Sequence, residues 1–113
     1  MQMSIEEQKV YNQLSKEQKE DFRYAEKRHP NWSFTQVMAK VGFEGKISDV
    51  ITDRKGDVDP NDKSLWQTIL EGVSDFLDDF PILKEAAKAI RNAIGKIFEF
   101  VGDMIDDFFD WIF

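Results

Sequence analysis

Twenty-two acidic residues, one histidine and no cysteine bound the chemistry open to this 113-residue chain. Three oxygen-bearing side chains in alternation, Asp57, Asp59 and Asn61, fill the first, third and fifth places of a calcium loop, where successive oxygens surround one hard cation. The pattern then fails. Asp62 stands where the loop needs glycine for its turn, and Thr68 where a bidentate glutamate closes the shell. An acidic, proline-containing linker ahead of a helix is the better reading, so no metal is expected. His29 directly precedes Pro30 and has no recognisable serine, aspartate or glutamate signature beside it, which predicts an exposed turn residue rather than an acid/base group. The carboxylate pairs Asp78–Asp79 and Asp106–Asp107 are helix neighbours pointing about 100° apart, so they do not converge on one substrate and read as solvated faces. No phosphate-binding glycine loop, zinc spacing or nucleophile elbow is present. The expectation is a protein that is not an enzyme, with no cofactor and no small-molecule substrate.

Nucleic acid is a poor partner as well. Residues 22–43 have the outline of a helix–turn–helix, whose reading face would carry Thr35, Gln36, Ala39 and Lys40. Nearby Glu17, Glu20, Asp21, Glu26 and Glu44 nearly cancel its basic residues. The whole chain carries −7, split as +1 over residues 1–46, −2 over 47–64 and −6 over 65–113. The C-terminal half would therefore repel a phosphate backbone.

The C-terminal segment is the strongest candidate for function. Between Ile97 and Phe113 the apolar residues cover half a helix circumference or more, while Glu99, Asp103, Asp106, Asp107 and Asp110 share one arc of about 100°. An ordinary surface helix needs a narrower stripe. Phe98, Val101, Met104, Ile105, Phe108, Phe109 and Ile112 are the candidate interaction residues. The face is expected to be covered, either by this chain's own core or by another chain, because left in water it would be a large aggregation-prone patch. A helical protein-interaction module follows, such as an oligomeric regulator or an inhibitor-like binder acting on a protein partner or on itself. A membrane-associating or pore-forming helix is the alternative.

These residues need helices to position them, and start signals recur. Ser4–Glu7, Ser15–Gln18 and Ser33–Gln36 each read as a capping box. Val10, Tyr11 and Leu14 share a face behind the first, and Phe22 and Ala25 behind the second, which Pro30 ends. The third carries Phe34, Val37, Met38 and Val41, with Trp32 placed to staple onto Val37. It is expected to stop at a left-handed Gly42, with Phe43 folding back on Met38. Residues 44–63 are rich in turn formers, with Ile47 to Ile51 as a short docked turn or helix. Beyond them Trp66, Ile69, Leu70, Val73, Phe76, Leu77 and Phe80 form one stripe, with Ser74 off it. Pro81 then opens a heptad seam from Leu83 to Trp111, which predicts one helix of about thirty residues, roughly 46 Å long if straight, with Gly95 and Gly102 as the places where it would bend.

The predicted fold is all-α: a small N-terminal three-helix unit over 1–43, an acidic linker over 44–63, and a long C-terminal helical hairpin over 64–113, within a single domain. The N-terminus lacks a basic region followed by an apolar run, and no 18-residue stretch is free of charge. Neither a signal peptide nor an ordinary membrane span is expected, leaving the cytoplasm as the default compartment.

Overall fold

The computed structural model describes residues 1–53, 62–94 and 105–113, and all their regular structure is helical. α1 spans Ile5–Gln13 and α2 Lys16–Arg28, and each opens with a complete capping box. Ser4 Oγ accepts from the Glu7 amide at 3.1 Å, and Glu7 returns a carboxylate oxygen to the Ser4 amide at 2.9 Å. Ser15 and Gln18 repeat this reciprocal pair. Each cap satisfies two backbone donors that a helix start leaves free, which is why two helices can follow each other across Leu14 and Ser15 alone. Leu14 sits in the core, so the chain is anchored at the corner between them.

α3 spans Phe34–Asp53, and here the sequence expectation is overturned. The Ser33–Gln36 box is formed, at 2.8 and 3.3 Å, but Gly42 does not end the helix. Glycine inside a helix costs only about 1 kcal/mol relative to alanine, a preference that packing readily outweighs. Continuing through Gly42 lets Phe43 and Val50 join the core, with Ile47 packed against it. Phe43 does not close a cap on Met38. It stacks on Trp66 of the next helix, ring centroids 6.1 Å apart and planes 4° from parallel. Residues 44–53 therefore belong to α3, not to a linker.

α4 spans Lys63–Asp78, capped by Asp62, whose carboxylate accepts from the Ser64 and Leu65 amides at 3.0 and 3.3 Å. Asp57, Asp59 and Asn61 lie outside the described residues. Thr68 donates its hydroxyl to the Ser64 carbonyl. α4 crosses α3 closely enough that a Cβ on Gly42 would lie 2.8 Å from a Phe76 ring carbon. A 3-10 turn over Pro81–Leu83 leads to α5, Lys84–Ala93, which lies along α4. Ser74 is a second correction: it is fully buried at that contact, its hydroxyl donating to the Ala87 carbonyl at 2.9 Å. A small side chain there admits α5, whose facing residues Ala86, Ala87, Ile90 and Ala93 are buried.

α6 spans Ile105–Ile112 and packs against both α3 and α5. A straight helix could not touch itself across eleven intervening residues, so α5 and α6 are not collinear and a straight thirty-residue helix is overturned; Gly95 and Gly102, where a bend was expected, lie outside the described residues. Roughly 46 Å of continuous helix would exceed the longest dimension of the molecule, 39 Å. The arrangement found instead returns Phe108 and Phe109 to one core shared with α1 through α5. Among the described residues no helix is long and apolar enough to cross a membrane.

Candidate functional site

The polar contacts of longest sequence separation gather where α6 meets the α2–α3 corner. His29 caps the C-terminus of α2, and Trp32 follows in the turn, its amide held by the His29 carbonyl at 3.0 Å. The two rings stack, centroids 3.7 Å apart and 9° from parallel. Steps of four and three residues along α3 then place Gln36, Lys40 and Phe43 on one face, and Trp32, in the turn just ahead of the Ser33 cap, stands at the N-terminal end of that row. On α6, Asp106, Phe109 and Asp110 likewise fall on one face. The two rows meet.

Asp106 is the hub. Its carboxylate accepts from Lys40 Nζ at 2.8 Å and faces His29 Nε2 at 3.1 Å. Lys40 is also 3.4 Å from Glu44 and sits over the Phe43 ring at 5.0 Å, with its side chain 16 % exposed. Burial pushes the Asp106 carboxyl up, but the hydrogen bond and charge of Lys40, then those of His29, outweigh it and hold the group below the usual carboxylate range. Asp106 also stands in the first turn of α6, where a negative charge suits the helix dipole. One helical turn on, Trp32 Nε1 donates to Asp110. Gln36 serves twice: its Oε1 completes the α3 cap, and its Nε2 donates to the Phe109 carbonyl at 3.4 Å.

Between these polar contacts lies an aromatic socket. Phe109 meets Trp32 edge-on at 6.5 Å and 80°, Phe43 edge-on at 6.3 Å and 82°, and Phe108 at 5.9 Å and 59°. Edge-to-face pairs at such separations contribute about 0.5–1.5 kcal/mol beyond the area they bury. Phe108 and Phe109 are both fully buried.

Of the candidate interaction residues, Phe108 and Phe109 are thus inside this chain's own core, and Ile112 is partly buried against it. Phe98, Val101, Met104 and the Ile105 side chain lie outside the described residues. His29 is not the free turn residue expected, since its side chain is 24 % exposed and committed to Asp106 and Trp32. Asp106 is likewise no solvated face, whereas its neighbour Asp107 is exposed. The proposed DNA-reading face is covered: Gln36 and Ala39 are buried, and Lys40 is engaged beneath α6. A duplex could not reach that row while α6 occupies it. The sequence signal overlooked was the four-residue spacing of Trp32, Gln36 and Lys40, which matches that of Asp106 and Asp110.

A small cavity of about 230 Å³ opens beside the cluster, lined by Tyr24, Arg28, His29, Lys40, Glu44 and Asp106. A larger one, about 390 Å³, lies between α2, α3 and α4, with Glu17, Asp21, Lys46 and Asp49 on its walls. Burial, followed by the charges of Glu44, Glu17 and Glu20, raises the Asp21 carboxyl above its usual range. Compared with family models, curated proteins and solved structures, the chain matches none.

Proposed function

We propose that this protein is a non-enzymatic helical interaction module that works through its C-terminal amphipathic helix and the seat that receives it. The observation carrying this reading is the mode by which α6 is held. One helix of eight residues lies across the α2–α3 corner, with a buried aromatic pair in a socket and an acidic residue clasped on either side. That is the physics of helix-in-groove recognition, in which apolar anchors supply affinity and flanking polar pairs set the register. Here both halves of the contact belong to one chain, so α6 and its seat are each a binding surface whenever they separate.

An interaction helix of this kind must open more readily than the core it rests on. Hydrogen exchange read residue by residue tests this. The amides of Phe109 to Phe113 should exchange at least about tenfold faster than those of Val37 to Val41 in α3. Protection of α6 equal to that of α3 would make it an ordinary core helix and refute the reading.

A further inference from the structure

We infer that the cavity between α2, α3 and α4 is a binding site for a small linear organic cation, an aliphatic diamine with an ammonium group at each end. It stands apart from the α6 reading, because no α6 residue lines this cavity. Three helical rows converge on it. Glu17 and Asp21 lie one turn apart on α2, Gly42, Gly45 and Asp49 follow at steps of three and four on α3, and Gly72 and Phe76 lie one turn apart on α4. The space they enclose, about 390 Å³, is of the size that holds a small molecule. Glycine keeps it open. Packing accounts for Gly42 and Gly72, where a Cβ would meet Phe76 at 2.8 Å and Lys46 at 2.7 Å. It does not account for Gly45, which has nothing within 4 Å of its Cβ position. Glycine is the poorest helix former after proline, and no neighbour needs the room that this one leaves at the cavity wall.

Charge selects the occupant. The walls carry the carboxylates of Glu17, Asp21 and Asp49 against the single ammonium of Lys46, a balance of −2. The Lys46 stem is laid across Gly72, and among the described residues its ammonium pairs with none of the three. Asp21 is the group most in want of a cation: burial, then the charges of Glu44, Glu17 and Glu20, disfavour its ionised form, and an ammonium beside it offsets them. Spacing decides between kinds of cation. Among the described residues no three acidic or histidine side chains converge to hold a metal ion. A charge divided between two ends suits them better, since the Glu17 and Asp21 Cβ atoms stand about 5–6 Å apart, as residues one helical turn apart do. Val41 and Phe76 offer apolar wall to the methylene chain between the two ammonium groups.

Titration of the isotope-labelled chain with diaminobutane at constant ionic strength, followed by amide chemical shifts, tests the inference. The Gly42, Gly45 and Gly72 amides should shift saturably, with a dissociation constant of about 1 mM, the scale that a few partly exposed ion pairs and a short methylene chain supply. Gly45→Leu keeps every charge and fills the space, so it should abolish those shifts. Gly45→Ala, which adds one methyl and leaves the helix intact, should weaken binding severalfold. Asp21→Asn should weaken it about fivefold, and Lys46→Met, which removes the competing ammonium, should tighten it about fivefold. The absence of a saturable shift overturns the site. Binding by the folded Gly45→Leu and Gly45→Ala chains as tight as in the wild type also overturns it, because attraction of cations to an acidic surface needs no cavity. Magnesium giving the same saturable shifts at the same concentration overturns it as well, since a single compact charge would then suffice.

Discussion

Replacing Gly42 with alanine measures how closely α3 and α4 approach, and the outcome can be worked out from distances. A Cβ on Gly42 would sit 2.8 Å from Phe76 Cδ2, 3.3 Å from its Cγ and 3.5 Å from its Cβ. The ring can turn, but the Phe76 Cβ is fixed by the α4 backbone and its Cγ moves only with a change of rotamer, so part of the clash persists. Overpacking of this kind costs about 1–3 kcal/mol. Against it stands the helix preference of alanine over glycine, about 1 kcal/mol in favour. The net expectation for Gly42→Ala is a loss of about 0–2 kcal/mol. Gly45 lies on the same helix with nothing within 4 Å of its Cβ position, so Gly45→Ala keeps the gain of about 1 kcal/mol and has no clash. For a chain this long 1 kcal/mol moves Tm by about 4 °C. Gly45→Ala should thus raise Tm by about 4 °C, and Gly42→Ala should leave it unchanged or lower it by up to about 8 °C. Urea titrations followed by far-UV circular dichroism supply the free energies. The decisive measurement is a double-mutant cycle with Phe76→Ala, which removes the ring that meets the new methyl. Phe76→Ala should be less costly in the Gly42→Ala background than in the wild type by about 1–3 kcal/mol. A left-handed glycine cap at position 42 would also make Gly42→Ala unfavourable, but with no dependence on residue 76. Zero coupling in the cycle would therefore refute the continuous α3 and its close crossing with α4.

Other expectations can be checked with the same titrations. Phe108 is fully buried, so Phe108→Ala should lose about 3–5 kcal/mol, and Phe108→Asp should release α6 while α3 and α4 stay folded, read as lost protection of the α6 amides; α6 amides as protected in Phe108→Asp as in the wild type would remove Phe108 from the core. Because the Asp106 carboxyl is held below its ordinary value of 3.8, its contribution is fully present above that value and is lost as pH falls through the lower folded-state value. Asp106→Asn should accordingly weaken the protein at neutral pH and flatten its acid limb, and an unchanged stability–pH curve below about pH 4 would contradict the clasp. Asp21 runs the other way: its raised carboxyl disfavours the charged form in the fold, so Asp21→Asn should raise Tm at neutral pH. Ser74→Ala removes the buried bond to the Ala87 carbonyl and should cost about 1 kcal/mol, whereas a neutral result would place Ser74 in water.

What could be read from the sequence was whatever depends on neighbours along the chain. The three Ser-to-Glu/Gln capping boxes are formed as predicted, because a side chain three residues away is within reach of the first free amides whatever the rest of the molecule does. The all-α class followed from the periodic stripes, and the α4 stripe is buried except where Phe76 and Phe80 remain partly exposed. That the apolar C-terminal face must be covered followed from the same arithmetic, and Phe108 and Phe109 are covered by this chain. Gly42, Ser74 and the seat of α6 were decided elsewhere. A glycine reads as a stop until another helix gives the chain a reason to continue past it, and that reason is Phe43 stacked on Trp66 of α4. Ser74 reads as surface until α5 lies over it. His29, Lys40 and Asp106 each read as solvated when taken singly, because a charge is placed by its partners, and these lie 66 and 77 residues apart in the chain. Local hydrogen bonding sets where helices start; which face of each is buried, and which charges meet, is set by contacts that exist only once the helices have packed.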